Sequence, residues 1–242
     1  MPFQRNVYNY TISDWKNTTN DFLANGWSIK HSIRQIVLSK AYRQSSVTRK
    51  EAANPDPENQ LLHRQNVRPL EAEVLRDALL SISGRLDVKM YGLSIEQPKE
   101  AVTNARGKPR HHDPRDGRGR RSIYLAVRRN FMPEMMLAFD APTPFATVGR
   151  RNTSNVPAQA LALANAPLVH DLSALFAKRC IAFSDNHADR LQLAYQLAFG
   201  RNPRAAERER LLAFVSQSGE ELDVWTDAVH ALINTTEFRF LR

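Results

Sequence analysis

From Pro157 onward the chain is punctuated by Pro and Gly at spacings that leave room for little besides helices. Asn155-Val156-Pro157 opens one apolar run. Asn165-Ala166-Pro167 breaks it and opens a second, Gly200 closes a third, Asn202-Pro203 opens a fourth, and Gly219 closes that one. Pro suits the first helical turn, where its missing N–H leaves nothing unsatisfied, and Gly suits the left-handed residue just past a helix end. Between these marks apolar residues recur at helical spacing: Leu168, Leu172, Leu175, Phe176 and Cys180 in one run, and Leu222, Trp225, Val229, Leu232 and Ile233 in the last. Asp189 is the expected cap of the helix that Gly200 closes, and Asn155 or Ser154 that of the Pro157 helix. The expected fold is mainly α. It is an irregular multi-helix array with a C-terminal antiparallel three-helix bundle over residues 189–242 and at most one or two short β-strands.

The N-terminal half carries weaker signals of the same kind. Ser28 is placed to cap a helix through Ile29, Ile33, Ile36 and Val37 up to Tyr42. The turn chemistry of Asn54-Pro55-Asp56-Pro57 predicts a loop, with a short helix from about Glu58 to Arg64 after it. Arg68-Pro69 then precedes a helix that Gly84 closes, with Leu70, Val74, Ala78, Leu79 and Ile82 as its expected apolar face. From Gly92 to Gly119 the apolar period vanishes and a long basic loop is expected. Ser122 to Val127 (SIYLAV) has too little alternation for a half-exposed strand and is expected to be a short buried one. Pro133 to Phe139 is expected to form a short apolar helix stopped at Asp140-Ala141-Pro142.

The chain of 242 residues, with 42% hydrophobic and 24% charged residues, is expected to form one soluble, mainly helical domain over 1–242, residues 1–20 being a loosely held edge. No apolar run approaches the ~20 residues of a membrane-crossing helix, and the first residues lack the basic start and apolar middle of a secretory signal. The single cysteine, Cys180, leaves no disulfide framework, cysteine-clustered zinc site or CxxCH haem motif. Its place in the apolar pattern makes it a buried structural thiol, and no cofactor is expected.

The formal charge of +9 is concentrated: residues 101–151 hold eleven Lys or Arg against four Asp or Glu. Three Arg-Arg pairs stand there, and arginine favours planar, bidentate anions such as carboxylate or phosphate. The candidate anion-binding residues are therefore Arg128, Arg129, Arg150, Arg151 and Asn152, with internal ion pairing as the competing account. No catalytic residue is identifiable. Glu73 and Asp77, four apart, could pair as acid and base, but Arg76 among them makes a solvated or ion-paired face the better reading. His111-His112-Asp113 offers ligand types without a second cluster, so no metal site is expected. His230 beside an apolar face is expected to be a hydrogen-bonded structural histidine.

The order of blocks adds a resemblance. NGWSIKHSIRQIVLSKAYRQSS, DPENQLLHR, RPLEAEVLRDALLSISGRLD, RRSIYLAVRRN, FDAPTPFATVGRRNTSNVPAQALALANAP, DRLQLAYQLAFGRNP and the Trp225 to Phe238 helix together closely resemble the planctomycete-specific domain one, over roughly Asp21 to Leu241. That family is a domain of unknown function at the C-terminus of large planctomycete and verrucomicrobial proteins whose upstream parts include a cytochrome-c-like haem domain. The resemblance implies an N-terminally shortened member, an exported multidomain setting and a periplasmic or cell-envelope location. It implies no chemistry.

Three functions follow in order of preference. The first is a helical interaction or assembly module, docking on a partner protein or upstream domain of an exported complex. The alternative is a hydrolase or binding domain for anionic polysaccharide, built on the Arg128, Arg129, Arg150 and Arg151 cluster with Asp140, Asn152 or His170 nearby. A glycosidase, however, needs two facing carboxyl groups, and the sequence nominates no pair. Nucleic acid is disfavoured as a partner, since a basic stretch without stacking platform, zinc finger or helix-turn-helix is weak evidence.

Overall fold

The computed structural model describes residues 17–96, 113–128, 132–145, 147–216 and 220–241. It is mainly helical, and the strands among the described residues are two dipeptides, β1 (Arg68–Pro69) and β2 (Phe240–Leu241), paired in one small sheet. The described residues divide into two compact units, one before and one from Pro69.

In the first unit, residues 17–24 form α1, and α2 spans Ile29–Leu38. Ser28 caps α2 as its sequence suggests, its hydroxyl accepting the His31 N–H at 3.2 Å. The helix ends at Leu38, short of Tyr42, because the Ser39 N–H turns back to the Ile36 carbonyl. A four-residue α3 covers Lys50–Ala53. The helix expected from Glu58 to Arg64 does not form. Asp56 instead accepts the Gln60 and Leu61 N–H groups at 2.7 and 2.9 Å, and the Asn59 side chain bonds both the N–H and the carbonyl of Arg64. Short polar side chains thus offer the backbone a turn in place of the helical ladder.

The second unit contains every member of the hydrophobic core. Its first helix, α4, spans Ala72–Ile82 and buries Ala72, Leu75, Leu79, Leu80 and Ile82, while Val74 is half exposed. The buried stripe is therefore turned by one residue from the face expected through Val74 and Ala78. Gly84 takes the left-handed φ of 76° just past its end. Then follow α5 (Glu134–Ala138), α6 (Pro157–Asn165), α7 (Pro167–Phe183), α8 (His187–Phe199), α9 (Ala205–Val215), α10 (Glu221–Ile233) and α11 (Thr236–Arg239). Pro157 and Pro167 occupy first-turn positions, and Gly200 at φ 68° closes α8, as the punctuation predicts. Two caps differ. Asn186, not Asp189, caps α8 by accepting the Ala188 N–H, and neither Asn155 nor Ser154 caps α6, whose N-cap position is Val156.

The C-terminal bundle of α8, α9 and α10 gains a fourth member, because α10 packs most extensively along α7. Leu172, Phe176 and Cys180 of α7 and Trp225, Val229 and Ile233 of α10 are each no more than 1% exposed. At ~1.5–3 kcal/mol per fully buried large apolar side chain, this seam is the main source of cohesion in the unit. Two cross-links tie the earlier helices to it. Arg179 of α7 donates to the Ser81 and Ile82 carbonyls, satisfying the frayed end of α4, and His230 of α10 bonds the Leu163 carbonyl of α6 at 3.1 Å. His230 is the structural histidine its position suggested.

Candidate functional site

The buried strand expected at Ser122–Val127 is absent. Ser122–Tyr124 is a 3-10 turn, and Ile123 and Val127 are 78% and 61% exposed. The cause lies in two neighbours on α4. Asp77 accepts both the N–H and the hydroxyl of Ser122 at 2.7 Å, which fixes the start of the turn. Arg76 reaches beneath it, donating to the Arg120 carbonyl at 2.9 Å, to the Ser122 hydroxyl at 3.1 Å and to the Asp116 carbonyl at 2.8 Å.

Arg76 is 3% exposed, so the charged face expected on α4 is ion-paired but not solvated at this position. Burial pulls its guanidinium below the usual arginine range, and the nearby Asp77 and Asp116 carboxylates oppose that shift. The segment above it is shaped to let the guanidinium in. Gly117 and Gly119 have φ of 63° and 77°, and a Cβ on Gly117 would lie 2.8 Å from Arg76 Nη2. These two glycines and the arginine form one unit, which the sequence could have signalled through Gly-Arg-Gly and a charged residue set among the apolar positions of α4.

Around this knot three arginines are matched to carboxylates. Arg85 holds Asp116 at 2.5 Å, Arg118 holds Asp113 at 2.9 Å, and Arg115 holds Asp171 at 2.5 Å. Arg120 donates to the Tyr91 and Leu93 carbonyls while its guanidinium lies 3.9 Å from the Tyr124 ring centre. The Tyr124 hydroxyl accepts the Tyr91 N–H at 2.7 Å, which draws its pKa down. Parallel bridges Asp87–Arg120 and Ile95–Leu125 lay residues 87–95 alongside 120–125.

The five candidate anion ligands are placed differently. Arg128 forks onto Glu96, with Nε at 2.8 Å from Oε2 and Nη2 also bonded. Arg151 forks onto Glu73 at 2.7 and 2.9 Å and lies 3.3 Å from Glu71. The Arg151 bonds hold the Glu73 carboxyl below its usual range. Arg150 and Asn152 are exposed on the loop that leads to α6. Arg129 lies outside the described residues, as do His111 and His112. One arginine of each candidate pair, Arg128 and Arg151, is thus anchored on a separate carboxylate, and Glu73, one half of the suspected carboxylate pair, is itself taken by Arg151.

Asp140, the candidate acid or base, is also engaged. It sits at φ 57° after α5 and accepts the Ser154 N–H at 2.6 Å and the Ser154 hydroxyl at 2.8 Å. The Gln159 amide, 4% exposed, donates to the same hydroxyl and to the Ser154 carbonyl. Ser154 is therefore spent on holding the loop to α5 and α6, which is why it does not cap α6. A small pocket lies among Arg76, Ile95, Met135, Met136 and Leu168. Among the described residues no group of three His, Cys, Asp or Glu is arranged to hold a metal ion.

The family model for PSD1, a protein of unknown function (DUF1553), matches residues 16–215. No curated protein and no solved structure matches the chain.

Proposed function

We propose, from the premise that this chain belongs to the PSD1 family of proteins of unknown function, that it is a helical assembly module. The observation that carries this reading is a loop tied to the scaffold that also carries exposed apolar side chains. Asp140–Ser154 and Arg151–Glu73 hold the segment before α6, while Phe145 and Val148, nearby in the chain, are 64% and 54% exposed. Apolar side chains on a rigid frame lose little entropy on docking, and such patches mark contact sites. Arg128 and Arg151 support the same reading, since both are committed to carboxylates of this chain, Glu96 and Glu73.

The wider setting belongs to the proposal too. The likeness of the seven sequence blocks to planctomycete multidomain proteins supports an envelope setting, in which the partner is an upstream domain or another member of an exported assembly. Cross-linking mass spectrometry on envelope fractions tests it. A partner cross-linked to residues 142–156, and lost in a Phe145→Asp, Val148→Asp double variant that keeps its fold, is the expected result. A chain that forms no cross-link through this loop sinks the reading.

Arg150 and Asn152, exposed on that same loop, keep a second reading in play, in which the loop binds anionic polysaccharide. Calorimetric titration with oligogalacturonate separates the two. Saturable binding lost in Arg150→Ala favours the sugar, and absence of heat favours the assembly role.

A further inference from the structure

Helix α2 is built with its apolar side outward. At ~100° per residue, Ile29, Ile33, Ile36 and Val37 share one ~100° stripe. They are 68%, 54%, 57% and 38% exposed, and no residue of the helix is buried. The opposite side makes the attachment within the unit: His31 bonds Asp21 of α1 at 2.9 Å. Trp27 and Tyr42 stand exposed in the turns just before and just after the helix, the Trp27 ring packing edge-on against Phe22 at 5.4 Å. Across residues 17–68 the buried side chains are Asp56 and Asn59, so nothing apolar in this unit is shielded from water to the extent of the second unit's core.

The charge around the stripe narrows what can cover it. Between Phe22 and Lys50 stand Lys30, Arg34, Lys40, Arg43, Arg49 and Lys50, with no Asp or Glu. A second copy meeting the first across a two-fold axis would set these cations against each other. The exposed side of a single helix needs no matching groove in a bilayer interface. An indole and a phenol at its ends, cations along its flank and a continuous apolar stripe are the features of helices that lie in the headgroup boundary. Ten residues span ~15 Å, half of a ~30 Å hydrocarbon core, so the helix has the length to lie on a membrane and not to cross it.

We propose that α2 docks parallel to an anionic lipid surface, with Ile29, Ile33, Ile36 and Val37 in the acyl boundary and Lys30, Arg34, Lys40 and Arg43 against lipid phosphates. This docking is independent of the loop at residues 142–156, and its test uses different variants. Leu38 supplies an internal control: it is 60% exposed yet ~180° around the helix from Ile29. The full chain is co-sedimented with phosphatidylcholine vesicles with and without phosphatidylglycerol, and each variant is checked by circular dichroism. Expected are binding to the anionic vesicles, at least ~10-fold weaker binding to neutral ones and by Ile33→Glu, weakening by salt and by Lys30→Glu, Arg34→Glu, and unchanged binding by Leu38→Glu. Absence of binding to the anionic vesicles overturns the proposal in favour of a protein partner. Equal binding to both lipids, or equal loss in Ile33→Glu and Leu38→Glu, overturns it as well.

Discussion

Arg76 Nη2 lies 2.8 Å from the Asp116 carbonyl oxygen, so a charged side chain from the middle of α4 holds down a segment forty residues further along the chain. The same guanidinium bonds Arg120 and Ser122, and three acceptors are satisfied in a place without bulk water. Replacing it by Met keeps volume and strands all three. The expected cost is about 3 kcal/mol, read as a lowered urea midpoint. Arg76→Lys is expected to recover little, because an ammonium cannot span the spread of the fork.

The glycines of this knot differ sharply from the one that ends α8. A Cβ at Gly119 would meet the Arg85 carbonyl oxygen at 1.9 Å, whereas one at Gly200 would meet nothing within 4 Å, although both have positive φ. Gly119→Ala is expected to cost about 4 kcal/mol, from backbone clash added to conformational strain, and Gly200→Ala about 1 kcal/mol from strain alone. Thermal unfolding of the two variants side by side measures the difference.

Arg201, just past the end of α8, joins α9 to α11, forking onto Glu207 at 2.8 Å from both nitrogens and onto Glu237 at 2.7 Å. Its hydrogen bonds hold the Glu207 carboxyl at about 2, below the ordinary 4.5, and lower Glu237 as well. A carboxyl depressed on folding stabilises the fold above its unfolded value, and that contribution is lost as pH falls towards the folded value. Wild type is therefore expected to exceed Arg201→Met in stability above pH 4.5, with the gap closing between pH 4.5 and about 2. A gap that stays constant across that window contradicts the assignment.

Cys180 is fully buried in α7, and desolvation pushes its thiol up to about 12. At pH 8 it is expected to react with a thiol reagent more than ~100-fold slower in the native chain than in the unfolded one.

Asp140→Ala is expected to free the loop before α6 and cost about 2 kcal/mol, since it removes the hydrogen bonds from the Ser154 N–H and hydroxyl and leaves a non-glycine residue at positive φ. Asp140→Asn, which tolerates that φ and keeps one acceptor, is expected to lose less. Hydrogen exchange across residues 150–158 follows the loosening directly.

Much of the second unit was legible before its structure because its helices are marked at both ends by residues whose preferences are intrinsic. Pro157, Pro167 and Gly200 act through their own backbone geometry, and Trp225, Val229 and Ile233 through simple periodicity. The errors fall where a side chain from far away decides. Ser122–Tyr124 has the composition of a strand, yet a strand needs a ladder partner along its length, and Asp77 and Arg76 hold it as a tight turn. Ser154 has the chemistry of a cap, but Asp140 takes its donors. Within the candidate site, the arginine pairs were visible by charge alone, while Glu96 and Glu73, the residues that occupy Arg128 and Arg151, stand 32 and 78 positions away.

The sequence by itself determined where most helices of the second unit lie and that its residues 101–151 are basic, because periodicity, Pro and Gly punctuation and charge are local properties. Only the tertiary structure decided that Arg76 is buried, that Arg128 and Arg151 serve the scaffold, and that the apolar stripe of α2 faces outward. Burial and pairing depend on which surfaces the fold brings together, and no run of neighbouring residues encodes that.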